Sequence, residues 1–322
     1  MRGSRGVAIL VAAVLATAAC SGDGDAAPSP VRSSVTTVEA AVPTTAEPPC
    51  RPRAGYGPGT TERRLTVGGV ERVFLVHVPP QPAAAMPLVV NFHGAGSDMT
   101  QHSLYSGFDA LADRERFVTA TPNGVDAAIR QWRFIGTPDD VEFATAIVDD
   151  LVANACVDET RVYATGISSG AAMSASLACQ TSDVFAGFGL VAANFYIPAL
   201  CERATPRPMI VFHGTADAVV PYEGGEVATG AGLRVMPAEE SAAAWAAHNG
   251  CASEPTETVV DTEVVRLEWS PCDDPVVLYR IVGGGHSWPG AIAVERLGHT
   301  TDQIDAAATM WAFFSETGDA DP

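Results

Sequence analysis

The 322-residue chain contains no lysine; all 19 of its basic residues are arginines, set against 38 acidic ones. Chemistry built on a Schiff-base or catalytic lysine is therefore excluded. The resulting net charge of −19 repels phosphate backbones and anionic lipid surfaces, which argues against a nucleic-acid binder. Charge is sparse too, at 18% of residues, so the partner is expected to be neutral or to be met in an uncharged cleft. Zinc-type Cys-x-x-Cys or Cys/His spacings are absent. Long apolar runs are missing as well. Gly6 to Ala19, the uncharged stretch behind Arg2 and Arg5, would span about 21 Å as a helix, short of a bilayer core of about 30 Å. What is present is a hydrophobic fraction of 47%, enough for one large core or two small ones, which excludes disorder throughout.

The short apolar run with its leading arginines reads as a secretory signal over residues 1–20. Its end, Thr17-Ala18-Ala19-Cys20, resembles a bacterial lipobox, in which Cys20 would be lipidated and become the mature N-terminus. Ordinary cleavage near Ala18 or Ala19, giving a free secreted protein, is the alternative. Either way the chain is expected outside the cytoplasm, touching a membrane only through that anchor. Residues 21–49 are mainly Ser, Thr, Pro, Ala, Val and Asp with almost no large apolar side chains, a composition that cannot bury enough surface to fold and reads as a tether. Setting Cys20 aside, six cysteines remain: Cys50, Cys156, Cys179, Cys201, Cys251 and Cys272. Export permits three disulfides, with fifteen possible pairings. Short loops favour Cys179–Cys201 and Cys251–Cys272, which leaves Cys50–Cys156.

From Cys50 onward, short β-branched runs alternate with alanine-rich helical stretches. Leu65 to His77 reads as a hairpin about Gly68-Gly69. Leu88 to Phe92, Phe117 to Ala120, Arg161 to Thr165, Phe188 to Val191, Met209 to Phe212 and Val276 to Val282 read as strands. Helices are expected over Val141 to Ala153, Gly170 to Ala178, Pro237 to Asn249 and Asp302 to Phe314. Such alternation predicts an α/β domain with a mostly parallel sheet covered by helices on both faces. In these sheets, function gathers in loops beyond the carboxyl ends of the strands.

Thr165-Gly166-Ile167-Ser168-Ser169-Gly170 carries Gly-x-Ser-x-Gly between a predicted strand and a predicted helix, the setting of a nucleophile elbow. The bare pattern is weak, and its placement is what strengthens it. A serine needs a base and an acid, expected later in the chain in the order Ser, Asp, His. Asp217 follows the Met209 strand in His213-Gly214-Thr215-Ala216-Asp217, and His286 follows the Val276 strand in Gly283-Gly284-Gly285-His286. Asp140, Asp149 and Asp150 are rival acids that read as helix surface. His93-Gly94-Ala95-Gly96 follows the Leu88 strand and can aim backbone N–H groups at an oxyanion, with Ala95 (failing that, Gly94) and Ser169 as donors. His93 and His213 read as structural turn histidines. A metal site from His93, His213, His286 and Asp217 is the competing reading; it leaves Ser168 idle and lacks an HExxH-type spacing.

Together with Asp139-Asp140-Val141-Glu142-Phe143, Arg161-Val162-Tyr163, Pro221-Tyr222, Trp245, Asn249-Gly250-Cys251 and Gly284-Gly285-His286-Ser287-Trp288-Pro289-Gly290, these motifs resemble the secreted α/β-hydrolase esterases grouped with poly(3-hydroxybutyrate) depolymerases and feruloyl esterases. The likeness spans about residues 60–315. It implies an α/β-hydrolase fold, Ser168 as nucleophile, Asp217 as acid, His286 as base and a Cys251–Cys272 disulfide. The chain departs from depolymerase relatives at Ala95, where they often carry cysteine, and at Gln131-Trp132-Arg133.

The expectation is a serine ester hydrolase working through an acyl-enzyme on a small or oligomeric ester, with no metal or organic cofactor. Trp132 and Trp288 are expected as a substrate-facing apolar wall, with a core role as the alternative for each. Two other classes remain open on sequence: an acyltransferase on the same fold, and a non-catalytic cell-surface binding module.

Overall fold

In a computed structural model of the chain, the residues described are 50–82, 85–125, 129–133, 139–228 and 232–318. The predicted signal, the tether and Cys20 lie outside them. Twelve strands and seven α-helices follow one another as β1 (Gly59–Val67), β2 (Val70–Val78), β3 (Met86–Phe92), α1 (Met99–Ser106), α2 (Phe108–Glu115), β4 (Val118–Pro122), α3 (Asp139–Asn154), β5 (Val157–Ile167), α4 (Ser169–Gln180), β6 (Gly187–Val191), α5 (Pro198–Cys201), β7 (Met209–Gly214), β8 (Gly225–Glu226), β9 (Arg234–Val235), α6 (Ala238–His248), β10 (Thr256–Asp261), β11 (Val264–Trp269), β12 (Val276–Ile281) and α7 (Ala306–Gly318). Ten strands form one sheet in the order β1-β2-β4-β3-β5-β6-β7-β12-β11-β10, and β8 pairs only with β9. The six central strands, β4 to β12, are parallel. Antiparallel pairs close both edges.

The central strands are buried on both faces because every side chain of β3, β4, β6 and β7 is buried, as expected where helices cover a parallel sheet. Alternation sorts them. Leu88, Val90 and Val211 join one core with Phe143, Ile147, Met173, Leu177 and Trp245 of α3, α4 and α6. Val89, Ile210 and Phe212 join the other with Phe108, Leu111, Met310 and Phe314 of α2 and α7.

The predicted hairpin is present: Gly68 and Gly69 both have positive φ, at 57° and 80°, and Val67 pairs with Val70, which makes the turn two residues long. The last helix starts at Ala306 rather than Asp302, because Asp305 ends the preceding loop by accepting the Ala308 N–H at 3.0 Å. Unforeseen were α1, α2 and the β10–β11 hairpin. Helix α1 lacks an apolar stripe, with His102, Ser103 and Ser106 as its buried residues, and β10 is exposed along its whole length. Neither has the periodicity on which the sequence reading relied.

All three disulfides pair as the short-loop argument favours: Cys50–Cys156, Cys179–Cys201 and Cys251–Cys272. Bonds of this kind belong to an oxidising, extracellular setting. Among the described residues no helix is long and apolar enough to cross a membrane.

Candidate active site

Ser168 sits between β5 and α4 at φ 57° and ψ −119°, a left-handed conformation that costs a non-glycine residue about 1–3 kcal/mol. The surroundings hold it there. Its N–H donates to the Val191 carbonyl at 2.9 Å, and its carbonyl accepts the Ala172 N–H at 3.0 Å. The turn is so tight that a Cβ on Gly166 would lie 2.5 Å from the Phe92 carbonyl oxygen. One on Gly170 would strike that same oxygen and come within 2.6 Å of the His93 carbonyl. Both glycines of the motif are thus dictated by backbone contact with the end of β3. Gly170→Ala is expected to cost about 4 kcal/mol or more, because backbone cannot step aside as a side chain can; urea denaturation against the parent measures it.

Asp217 and His286 meet across a second glycine-made contact. A Cβ on Gly214, the last residue of β7, would collide with the Gly284 carbonyl, and one on Gly285 with the Leu297 carbonyl. The glycines before His286 therefore let its loop press on two neighbours at once. His286 is fixed by its own N–H donating to the Leu297 carbonyl at 2.7 Å. Its Nδ1 lies 2.7 Å from Asp217 Oδ2. Oδ1 of Asp217 accepts the N–H groups of Val219 and Val220, each at 2.8 Å.

His213 Nε2 lies 2.9 Å from the Val220 carbonyl, which requires a proton on that nitrogen, and 3.4 Å from Asp217 Oδ2. Burial alone would raise the Asp217 carboxyl; hydrogen bonds from His213 and His286, with their charges, outweigh it and hold the group well below the usual carboxylate range. An ionised carboxylate only accepts, so the His286 proton resides on Nδ1 and its Nε2 carries a lone pair.

Ser168 and His286 line one cavity of about 470 Å³ with Gly94, Ala95 and Gly96. The turn lies over the serine: a Cβ on Gly94 would be 3.6 Å from Ser168 Cβ. Gly96 N–H donates to the Arg130 carbonyl at 2.8 Å. His93 is buried under the turn, its Nδ1–H donating to the Gly94 carbonyl at 2.8 Å and its Nε2 accepting the Gly124 N–H at 3.0 Å. Burial lowers its pKa, so His93 is a neutral brace. No group of three or more His, Cys, Asp or Glu among the described residues is arranged to hold a metal ion.

Two expectations are corrected. Trp132 and Trp288 are 3% and 1% exposed, and neither lines the cavity. Trp132 supports the His93–Gly96 turn from behind, its Nε1–H donating to the His93 carbonyl at 2.7 Å. Trp288 packs edge-on against Phe108 and His102. The sequence carries no sign of which way these two rings turn. The cavity wall is built instead by Gln101, Leu104 and Tyr105 of α1 and by Ile292, Val294 and Arg296 after the histidine loop. Nothing in α1 marked it beforehand.

Asp140 is the second correction, since it is fully buried rather than on a helix surface. It bonds Arg72 Nη2 and the Arg133 N–H, each at 2.5 Å. Asp140→Asn would leave Arg72 buried without its counter-charge. A loss of about 3–5 kcal/mol is expected, readable by thermal denaturation, with the Arg72→Met/Asp140→Leu pair less harmful than the single change.

Fold and sheet order are those of the α/β-hydrolases. A solved acetyl xylan esterase from Aspergillus awamori shares it, with a TM-score of 0.57 at 16% identity over 70% of this chain and 94% of that one. Residues 73–205 match the family model described as "Esterase PHB depolymerase". "Putative esterase NocK" of Nocardia uniformis subsp. tsuyamanensis is 29% identical over 95% of this chain and 96% of its own. "Feruloyl esterase B" of Piromyces equi is 32% identical over 63% of this chain, which covers 40% of that relative. "Feruloyl esterase C" of Emericella nidulans is 26% identical over 74% of this chain and 84% of its own. The protein is an extracellular carboxylic ester hydrolase similar to the polyhydroxybutyrate depolymerase and feruloyl esterase-like enzymes.

Proposed function

We propose that Ser168, His286 and Asp217 are the nucleophile, base and acid of this esterase. The observation that carries the reading is the Asp217–His286 bond, which sets the tautomer and leaves Nε2 unprotonated in the cavity that also holds Ser168. His286 Nε2 takes the Ser168 proton as Oγ attacks the ester carbonyl. The Asp217 carboxylate stabilises the imidazolium so formed. The N–H groups of Ala95 and Ser169 receive the developing oxyanion, each contributing about 3–4 kcal/mol in the transition state. His286 then protonates the leaving alcohol, and a water repeats the sequence on the acyl-enzyme. Incubation with an alkyl fluorophosphonate should place one phosphonyl group on the Ser168 peptide, seen by mass spectrometry, with loss of activity in proportion. A label elsewhere, or none in an active enzyme, would overturn the assignment.

Leu104 and Ile292, 81% and 76% exposed, flank the cavity and supply an apolar rim suited to esters with a hydrophobic part. The names of the relatives point to feruloyl and acetylxylan esters as the first substrates to try. Cys20 in its lipobox-like setting supports attachment of the mature chain to the outer face of a membrane; the intact mass of membrane-extracted protein checks this, a plain cleaved N-terminus counting against it.

A further inference from the structure

One wall of the cavity carries a polar pair that the catalytic reading leaves unused. His102 and Tyr105 lie three residues apart on α1, hence on one face of the helix, and both line the cavity with Ser168 and His286. Each has one polar end committed to the protein in a way that fixes what the other end can offer.

For His102 the chain of bonds begins at a backbone carbonyl. Ser106 Oγ–H donates to the Ser103 carbonyl at 3.5 Å, so Ser106 Oγ accepts from Asn91 Nδ2 at 2.8 Å. The other end of that amide, Asn91 Oδ1, can then only accept, and it lies 2.8 Å from His102 Nε2. The His102 proton is thereby placed on Nε2. Nδ1 is a bare acceptor, without a hydrogen-bond partner among the described residues, on a side chain that lines the cavity. Burial, and to a smaller extent His93, push the His102 pKa down to about 3, which keeps the ring neutral wherever the enzyme would work. Tyr105 is the complement. Its oxygen accepts the Trp288 N–H at 3.2 Å, which leaves its own proton to donate, and burial raises its pKa further.

An acceptor and a donor side by side, both rigidly set, match a group that is donor and acceptor at once. We propose that His102 and Tyr105 form a hydroxyl-reading subsite, in which a substrate hydroxyl donates to His102 Nδ1 and accepts from Tyr105 Oη. The preferred substrates are then esters whose acyl part carries a free hydroxyl. A substrate lacking it strands both polar groups against an apolar surface, and sites of this kind discriminate more strongly than apolar pockets do. This rests on the proposed catalytic assignment of the same cavity.

The test compares kcat/KM within two matched pairs, methyl 4-hydroxycinnamate against methyl cinnamate and p-nitrophenyl 3-hydroxybutyrate against p-nitrophenyl butyrate. The parent should favour the hydroxylated member of at least one pair by about tenfold, the size of one satisfied neutral hydrogen bond. Tyr105→Phe and His102→Leu should each bring that ratio down toward one. Because the readout is a ratio within one enzyme, a variant of reduced folded yield still reports. The parent's ratio should also stay level from pH 5 to 7, since neither His102 nor Tyr105 nor the substrate hydroxyl titrates there. Equal rates within both pairs in the parent, or a ratio that survives both substitutions, would overturn the subsite while leaving the esterase reading intact. A parent that cleaves none of the four would overturn the catalytic reading beneath it.

Discussion

Ser168→Ala is expected to remove ester hydrolysis, lowering kcat by about 10⁶-fold with the fold unchanged. The side chain makes no capping bond to α4, so helix and turn do not depend on its hydroxyl. Alanine at φ 57° carries the same backbone strain as serine, so stability should move little. The measurement is hydrolysis of p-nitrophenyl butyrate beside thermal denaturation of both proteins. Retained activity in the variant would identify a different nucleophile. Activity and melting temperature falling together would show the residue to be structural.

Asp217→Asn should cost about 10⁴-fold in kcat. The amide nitrogen it introduces donates where the carboxylate accepted, so His286 would turn its lone pair toward residue 217 and its proton toward Ser168. The base is then in the wrong tautomer, and the loss should persist across neutral pH. The parent's acid stability follows from the same group. A carboxyl whose folded pKa lies below its unfolded value of about 3.9 contributes fully above that value. Its contribution is lost as pH falls from there through the depressed folded value. Denaturation of the parent and the variant between pH 7 and pH 2 should therefore show the stability gap narrowing only in acid. A gap that closes between pH 8 and pH 6 would place the linkage on another group.

Much of this was legible because the relevant constraints are local. Gly166 and Gly170 bracket a serine whose turn needs them, Gly68-Gly69 makes a two-residue hairpin, and apolar runs such as Leu88–Phe92 have no solvent face to offer. The order of Ser168, Asp217 and His286 along the chain, each after a strand, followed from the same local signals. The cavity was not legible. Trp288 lies two residues from His286 in sequence yet packs away from the cavity, as Trp132 does, since a side chain's direction depends on which neighbour fills the space beside it. Asp140 looked like a solvated helix acid because its partner, Arg72, is 68 residues earlier.

The sequence by itself determined the alternation of strands and helices, the nucleophile turn and the even set of cysteines, since each depends on backbone conformation or composition within a few residues. Tertiary structure alone decided where the His286 proton resides, which side chains wall the cavity and that His102 and Tyr105 line it together. Those outcomes depend on hydrogen bonds between residues as distant as Asp217 and His286, 69 positions apart, and such partners are chosen only when the sheet brings the ends of its strands together.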